Sequence, residues 1–195
     1  QSPWGMDRIH GERAGADPEC DVVSRGPVSG RWKLTVILTE FIASLEGVVL
    51  KAYDMEHDVA GVDTIGVGHL ITDSEHDSGI IHIGGQAIQW RLGLTRQQAM
   101  GLLSQDLKEY AACVDHSVKV PINPNERIAL ISFCFKVGRR ALTTSTLLRR
   151  LNVGEYGAVP GELGRWIKNG GKVVKGLINR RQKESEMWNT VLPVT

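Results

Sequence analysis

Apolar residues first recur at helical spacing over Leu34, Ile37, Leu38, Phe41, Ile42 and Leu45. This spacing predicts a helix from Leu34 to Glu46, stopped by Gly47. The pattern then changes. Val48, Val49, Leu50, Ala52 and Tyr53 form a β-prone run, Asp54 to Gly61 is polar, and Val62 to Leu70 suits a second strand with close backbone approaches at its glycines. Residues 72–94 carry no clear period and are expected to form a long irregular connection, with some structure over Ile80–Ile83. Helical spacing returns after Thr95-Arg96-Gln97-Gln98, where a capping Thr precedes a Gln by three positions, and predicts a helix to about Val118. Asn123-Pro124-Asn125-Glu126 is a second start signal, for a helix ending near Gly138. Further helices are expected at 144–152, 160–168 and 177–191. The outline is α+β, with a small β-containing lobe followed by a larger helical lobe. Residues 1–33 form an extension of unknown role, rich in Gly, Pro and charge, and 34–195 form the folded domain.

Charge narrows the function. A formal net charge of +1 gives no argument for a nucleic-acid binder or for general membrane adhesion. The charge is uneven, because seven basic residues and no acidic one lie between Arg165 and Lys183. That run reads either as a solvated surface or as a positive face toward an anionic polymer. The best candidate for a membrane span, Leu34 to Leu50, is interrupted by Glu40 and Glu46, so none is expected. Three cysteines, Cys20, Cys113 and Cys134, make neither a complete disulfide framework nor a metal-type spacing. Cys134 sits in the apolar run Ile131–Phe135 and is expected to be a buried thiol.

Five acids fall between positions 46 and 63: Glu46, Asp54, Glu56, Asp58 and Asp63. If one carboxyl is partly desolvated and another solvated, their pKa values separate. Glycoside hydrolysis needs that separation, since one carboxylic acid protonates the leaving oxygen while a carboxylate activates water or stabilises the sugar cation. By themselves acids beside glycines are usually turn residues, and the spacing alone is a weak signal.

The motifs go further. Glu46-Gly47 closes the first helix, Thr64-Ile65-Gly66-Val67-Gly68-His69 follows, and Asp58 stands six positions before Thr64 in Asp58-Val59-Ala60-Gly61-Val62. Phe133–Gly138, Ser145–Leu148 with Leu151-Asn152, Arg165-Trp166, Gly170-Gly171, Gly176-Leu177 and Arg180-Arg181 with Glu184 continue the pattern. Together they resemble the phage lysozymes of glycoside hydrolase family 24 over roughly residues 35–191. Two departures stand out. The interval from Glu46 to Asp58 is three residues longer than usual in the family, which leaves Asp54 and Glu56 as alternatives for the second carboxylate. Lys136 also stands where the family commonly has Asn or Gln.

The resemblance implies a lysozyme-like fold with a cleft between the lobes. It implies an inverting muramidase that cleaves the β-1,4 bond between N-acetylmuramic acid and N-acetylglucosamine in bacterial peptidoglycan. Glu46 would be the general acid, its pKa raised by partial burial. Asp58 would stay ionised, and Thr64 would hold the attacking water. Leu70, Phe135, Lys136 and Thr146 align with groove-lining positions. His69 is expected to be structural and Trp166 to pack in the core. Neither cofactor nor metal is implied, the partner is peptidoglycan, and the chain is expected to act as a monomer. It would reach the wall from the host cytoplasm after a holin-type lesion, or within a virion. The competing readings are a lytic transglycosylase, which needs only one acid, and a non-catalytic wall-binding virion component.

Overall fold

Helix α1, Ser29–Glu46, opens the computed structural model, which describes residues 29–51 and 63–190. Cys20, Ala52 and Tyr53, and the acids Asp54, Glu56 and Asp58, lie outside the described residues. The helix starts ahead of the expected Leu34 and ends where the sequence places its end. The Gly47 N–H closes it by donating to Ala43 O at 2.9 Å.

The small lobe departs from the sequence reading in two places. The single strand expected over 62–70 is a tight antiparallel hairpin, β1 (Thr64–Ile65) with β2 (His69–Leu70). Gly66 and Gly68 turn it at φ 68° and 75°, a left-handed backbone that a Cβ disfavours. Val49, from the preceding β-prone run, makes an isolated antiparallel bridge to Gly66. The expected irregular connection over 72–94 is ordered. It contains α2 (Asp73–Ser78), β3 (Ile80–Ile83) paired with β4 (Gln86–Gln89), and a short 3₁₀ turn at Trp90–Leu92. A reciprocal cap between Thr72 and Glu75 starts α2, and Gly84-Gly85 turns the second hairpin.

The helical lobe follows the expected order more closely. Helix α3, Arg96–Ser117, starts from the Thr95–Gln98 capping box, and α4, Pro124–Val137, starts from Asn123, whose side chain accepts the N–H groups of Asn125 and Glu126. Then come α5 (Arg139–Thr143), α6 (Thr146–Asn152) and α7 (Val159–Leu163). The helix expected over 160–168 stops early, because the chain turns at Gly170-Gly171 into a hairpin of β5 (Lys168–Asn169) and β6 (Lys172–Val173). Helix α8, Lys175–Asn189, completes the lobe.

Burial explains the arrangement. From Ile128 to Cys134 every residue of α4 is buried, so this helix is enclosed on all sides and forms the centre of the lobe. α3 serves both lobes. Its Ala99 and Leu102 pack with Ile65, Ile81 and Trp90, while Leu103, Leu107 and Val114 join Ile42, Phe133 and Leu147. The Cys134 thiol is buried as expected, and burial, with the Cys113 thiol beside it, pushes its pKa up to about 12.

Candidate active site

Glu46 occupies the last position of α1. A carboxylate is unfavourably placed there, because the terminal carbonyls of a helix carry partial negative charge. Two cations from other helices face it. Arg180 Nη1, from α8, donates to Oε1 at 2.5 Å, and Lys136 Nζ, from the last turn of α4, donates to Oε2 at 3.3 Å. The side chain is 19% exposed. Its surroundings are therefore partly buried and cationic.

Arg180 is itself held from behind. Its Nε donates to Glu184 Oε1 at 3.0 Å and its Nη2 to the Ser132 carbonyl at 3.1 Å. Ser132 Oγ donates to Glu184 Oε1 at 2.7 Å, and Arg181 Nη2 donates to the same oxygen at 2.9 Å. Glu184 is fully buried. Burial pushes its pKa above the ordinary carboxylate value and pushes that of Arg181 below the ordinary guanidinium value, with the opposite charges only partly offsetting the loss of water. The guanidinium of Arg180 thus has one edge fixed in the core and one nitrogen on Glu46. In the sequence Arg180 belongs to a motif but has no evident role. The available signal was the spacing Arg180-Arg181-x-x-Glu184, which puts the charges on adjoining turns of one helix.

Two open pockets flank the last turn of α4. One, of about 540 Å³, is lined by Glu46, Lys136, Trp166, Lys168, Leu177 and Arg180, among others. The other, of about 490 Å³, lies toward the small lobe and includes Leu70, Asp106, Tyr110 and Phe135. Phe135 and Lys136 are consecutive, so this turn of helix presents one side chain to each pocket. Leu70, 60% exposed, is a large apolar group open to solvent at the second pocket.

The remaining expected residues are spread around these pockets. Thr64 is half-buried on β1, opposite Leu70 in the register, and its hydroxyl has no hydrogen-bond partner among the described residues. Thr146 begins α6, accepts from Arg149 Nη2 at 3.1 Å and lines neither pocket. His69 bridges two carboxylates, with Nδ1 2.9 Å from Asp106 and Nε2 3.2 Å from Glu75, and so ties the small lobe to α3. That is the structural role expected of it. Trp166 packs edge-on against Phe133, with ring centroids 5.3 Å apart, and also lines the Glu46 pocket. The described residues contain no cluster of His, Cys, Asp or Glu suited to a metal ion, and none of their helices is long and apolar enough to cross a membrane.

Comparison with known proteins places this geometry. The phage lysozyme family model matches residues 43–184. A SAR-endolysin of Escherichia phage Mu is 34% identical over 167 residues, covering 86% of this chain and 85% of that protein. The endolysin of Salmonella phage P22 is 34% identical over 143 residues, covering 73% and 88%. Among solved structures, a mutant of P22 lysozyme superposes with a TM-score of 0.65 at 30% identity, covering 79% of this chain and 96% of that one. The muramidase domain of SpmX from Asticaccaulis excentricus gives 0.63 at 28% identity, covering 80% and 96%. A lobed α+β body with a glutamate pinned at the end of its first helix, matched over most of its length by these proteins, belongs to the phage lysozyme family, and the chain is a glycoside hydrolase of that kind.

Proposed function

We propose that this chain hydrolyses the β-1,4 bond between N-acetylmuramic acid and N-acetylglucosamine in bacterial peptidoglycan, with inversion, and acts in cell-wall lysis. The observation that carries the reading is the Glu46 carboxyl, held by Arg180 and Lys136 at the edge of a pocket large enough for part of a saccharide.

In this mechanism Glu46 gives its proton to the glycosidic oxygen. The bond from that oxygen to the anomeric carbon breaks, and the electron pair stays on the leaving oxygen. Water attacks the anomeric carbon from the opposite face and loses its proton to Asp58, the second carboxylate. Thr64 holds that water through its hydroxyl. Arg180 and Lys136 stabilise the carboxylate that proton transfer leaves on Glu46. Leu70, Phe135, Lys136 and Thr146 contact the sugar chain, and the site is complete within one chain.

The stereochemistry tests this. Proton NMR in the first minutes of digestion should show the α-anomer of the new reducing sugar, and Asp58→Asn should abolish its release. An initial β-anomer would overturn the inverting mechanism. Anhydro ends in place of reducing ends would make the enzyme a lytic transglycosylase.

A further inference from the structure

Two thiols meet between the helices at the centre of the larger lobe. Cys113 lies on α3 and Cys134 on α4. Cys113 is half-buried and packs against the core cluster that contains the fully buried Cys134. Tyr110, one turn before Cys113, meets Phe135, the residue after Cys134, edge-on with ring centroids 5.2 Å apart, so the two helices touch at this level. The Cys113 thiol stands beside that of Cys134, and neither is in a disulfide. Neither lines the Glu46 pocket, and the muramidase mechanism uses neither.

The two thiols differ in access. Cys113 lines an open pocket of about 470 Å³ together with His116, Ser117, Arg139 and Arg140. Glu109 also lines it and pairs with Arg139 at 3.3 Å, so the pocket keeps an excess of positive charge. Cations beside a partly exposed thiol favour the thiolate, which is the nucleophile in thiol chemistry. Cys134 has no exposed surface. Burial first, and then the charge and hydrogen bonding of Cys113, hold its thiol protonated, with a pKa of about 12. An accessible thiol in a cationic pocket with a protonated thiol behind it has the layout of an attacking and a resolving cysteine.

We propose that Cys113 and Cys134 form a redox-active dithiol, a modification site that takes an anionic small-molecule disulfide and closes into a cross-link between α3 and α4. Cys113, as its thiolate, attacks one sulfur of the incoming disulfide; that S–S bond breaks and one half leaves as a thiolate. Cys134 then gives up its proton and attacks Cys113 Sγ; the mixed S–S bond breaks and the second half leaves. The two protein thiols lose two electrons, the incoming disulfide gains them, and the two protein protons end on the two small thiols released. The first step removes the Cys113 charge that helps to hold the Cys134 proton, which eases the second. Thiols of this kind stay reduced where glutathione is reducing and close where disulfides persist, so the staple follows the compartment that the chain occupies.

Glutathione disulfide is the probe, because its carboxylates match the excess charge of the pocket. The full chain, Cys20→Ser, Cys113→Ser and Cys134→Ala are each incubated with it and mapped by mass spectrometry. The wild type and Cys20→Ser should both yield the Cys113–Cys134 disulfide, reversed by dithiothreitol; Cys20→Ser tests the pair without touching the core. Cys134→Ala should stop at a mixed disulfide on Cys113. Cys134 in Cys113→Ser should react at least roughly tenfold more slowly than Cys113 in Cys134→Ala. Oxidised Cys20→Ser should melt at least about 5 °C above its reduced form, because the cross-link constrains the unfolded chain. A Cys113 that takes up glutathione in the wild type without passing the bond to Cys134, a cross-link that forms only through Cys20, or a Cys134 that reacts as fast alone would overturn the pair. A cross-linked protein that melts no higher than the reduced one would overturn the staple.

Discussion

At the scale of single residues, the site depends on a pairing that no local pattern contains. Glu46 and Arg180 are separated by 134 positions. The sequence shows Glu46 ending a helix and Arg180 in the first turn of another, but only the fold brings them together. The burial of Arg180 makes it a sensitive point. Arg180→Met leaves Glu184 and Glu46 without their shared guanidinium, and breaking a buried ion pair in this way typically costs about 3–5 kcal/mol. Urea unfolding should show a loss of that size together with loss of activity. A variant as stable as the wild type would mean that Arg180 does not organise the network. Glu46 itself was legible because a Glu-Gly helix end and the Thr64–His69 motif lie near each other in sequence. Its cationic surroundings were not, because Lys136 and Arg180 come from distant helices.

Among the elements, those fixed by local chemistry were the easiest to read. The caps at Thr95 and Asn123 lie where the sequence puts them, since a cap needs only a side chain and a backbone N–H three residues on. Asn123→Ala removes the acceptor for two N–H groups and should lower stability by about 1 kcal/mol in chemical denaturation. A null effect would mean that water replaces the cap fully. In the region 72–94 only the structure over Ile80–Ile83, which is β3, was legible, although Thr72-x-x-Glu75 and Gly84-Gly85 are signals of the same local kind as the caps. Its elements are three to six residues long, too short for a hydrophobic period to show. The helix α2 supplies Glu75 to the His69 bridge. Burial alone would lower the His69 pKa, but the hydrogen bonds and charges of Asp106 and then Glu75 outweigh it, and the value is raised above 6.5. The bridge therefore contributes fully below about pH 6.5 and is lost as pH rises through the raised value. Burial would raise the Glu75 pKa, yet the Thr72 N–H and hydroxyl, with His69, hold it below 4.5, so its contribution is present above that pH and is lost as pH falls through the lowered value. The thermal stability of the wild type over His69→Asn should be larger at about pH 5.5 than at about pH 8. A difference that grows toward pH 8 would show that His69 acts as a neutral group.

Across the whole molecule, charge is divided unevenly along the chain. Residues 96–195 hold sixteen of the 23 basic residues and eight of the 22 acidic ones, so the helical half is strongly positive and the first half negative. The small formal total conceals this, and only the run from Arg165 to Lys183 hints at it in sequence. A positive lobe facing an anionic wall should make lysis sensitive to salt. Clearing of wall suspensions should slow as ionic strength rises beyond about 0.15 M, where screening shortens to about 8 Å, while cleavage of short soluble glycan should change less. Equal slowing of both would place the salt effect within the site. The lobes, the shared helix α3 and the buried arginine network all serve to hold one carboxyl at the edge of a groove. The most direct test of that claim is reducing-end release by Glu46→Gln, measured beside its melting curve. Loss of roughly 10²–10⁴-fold in turnover with folding and wall binding retained is the expected result. Activity within a few-fold of wild type would contradict the assignment of Glu46 as the general acid.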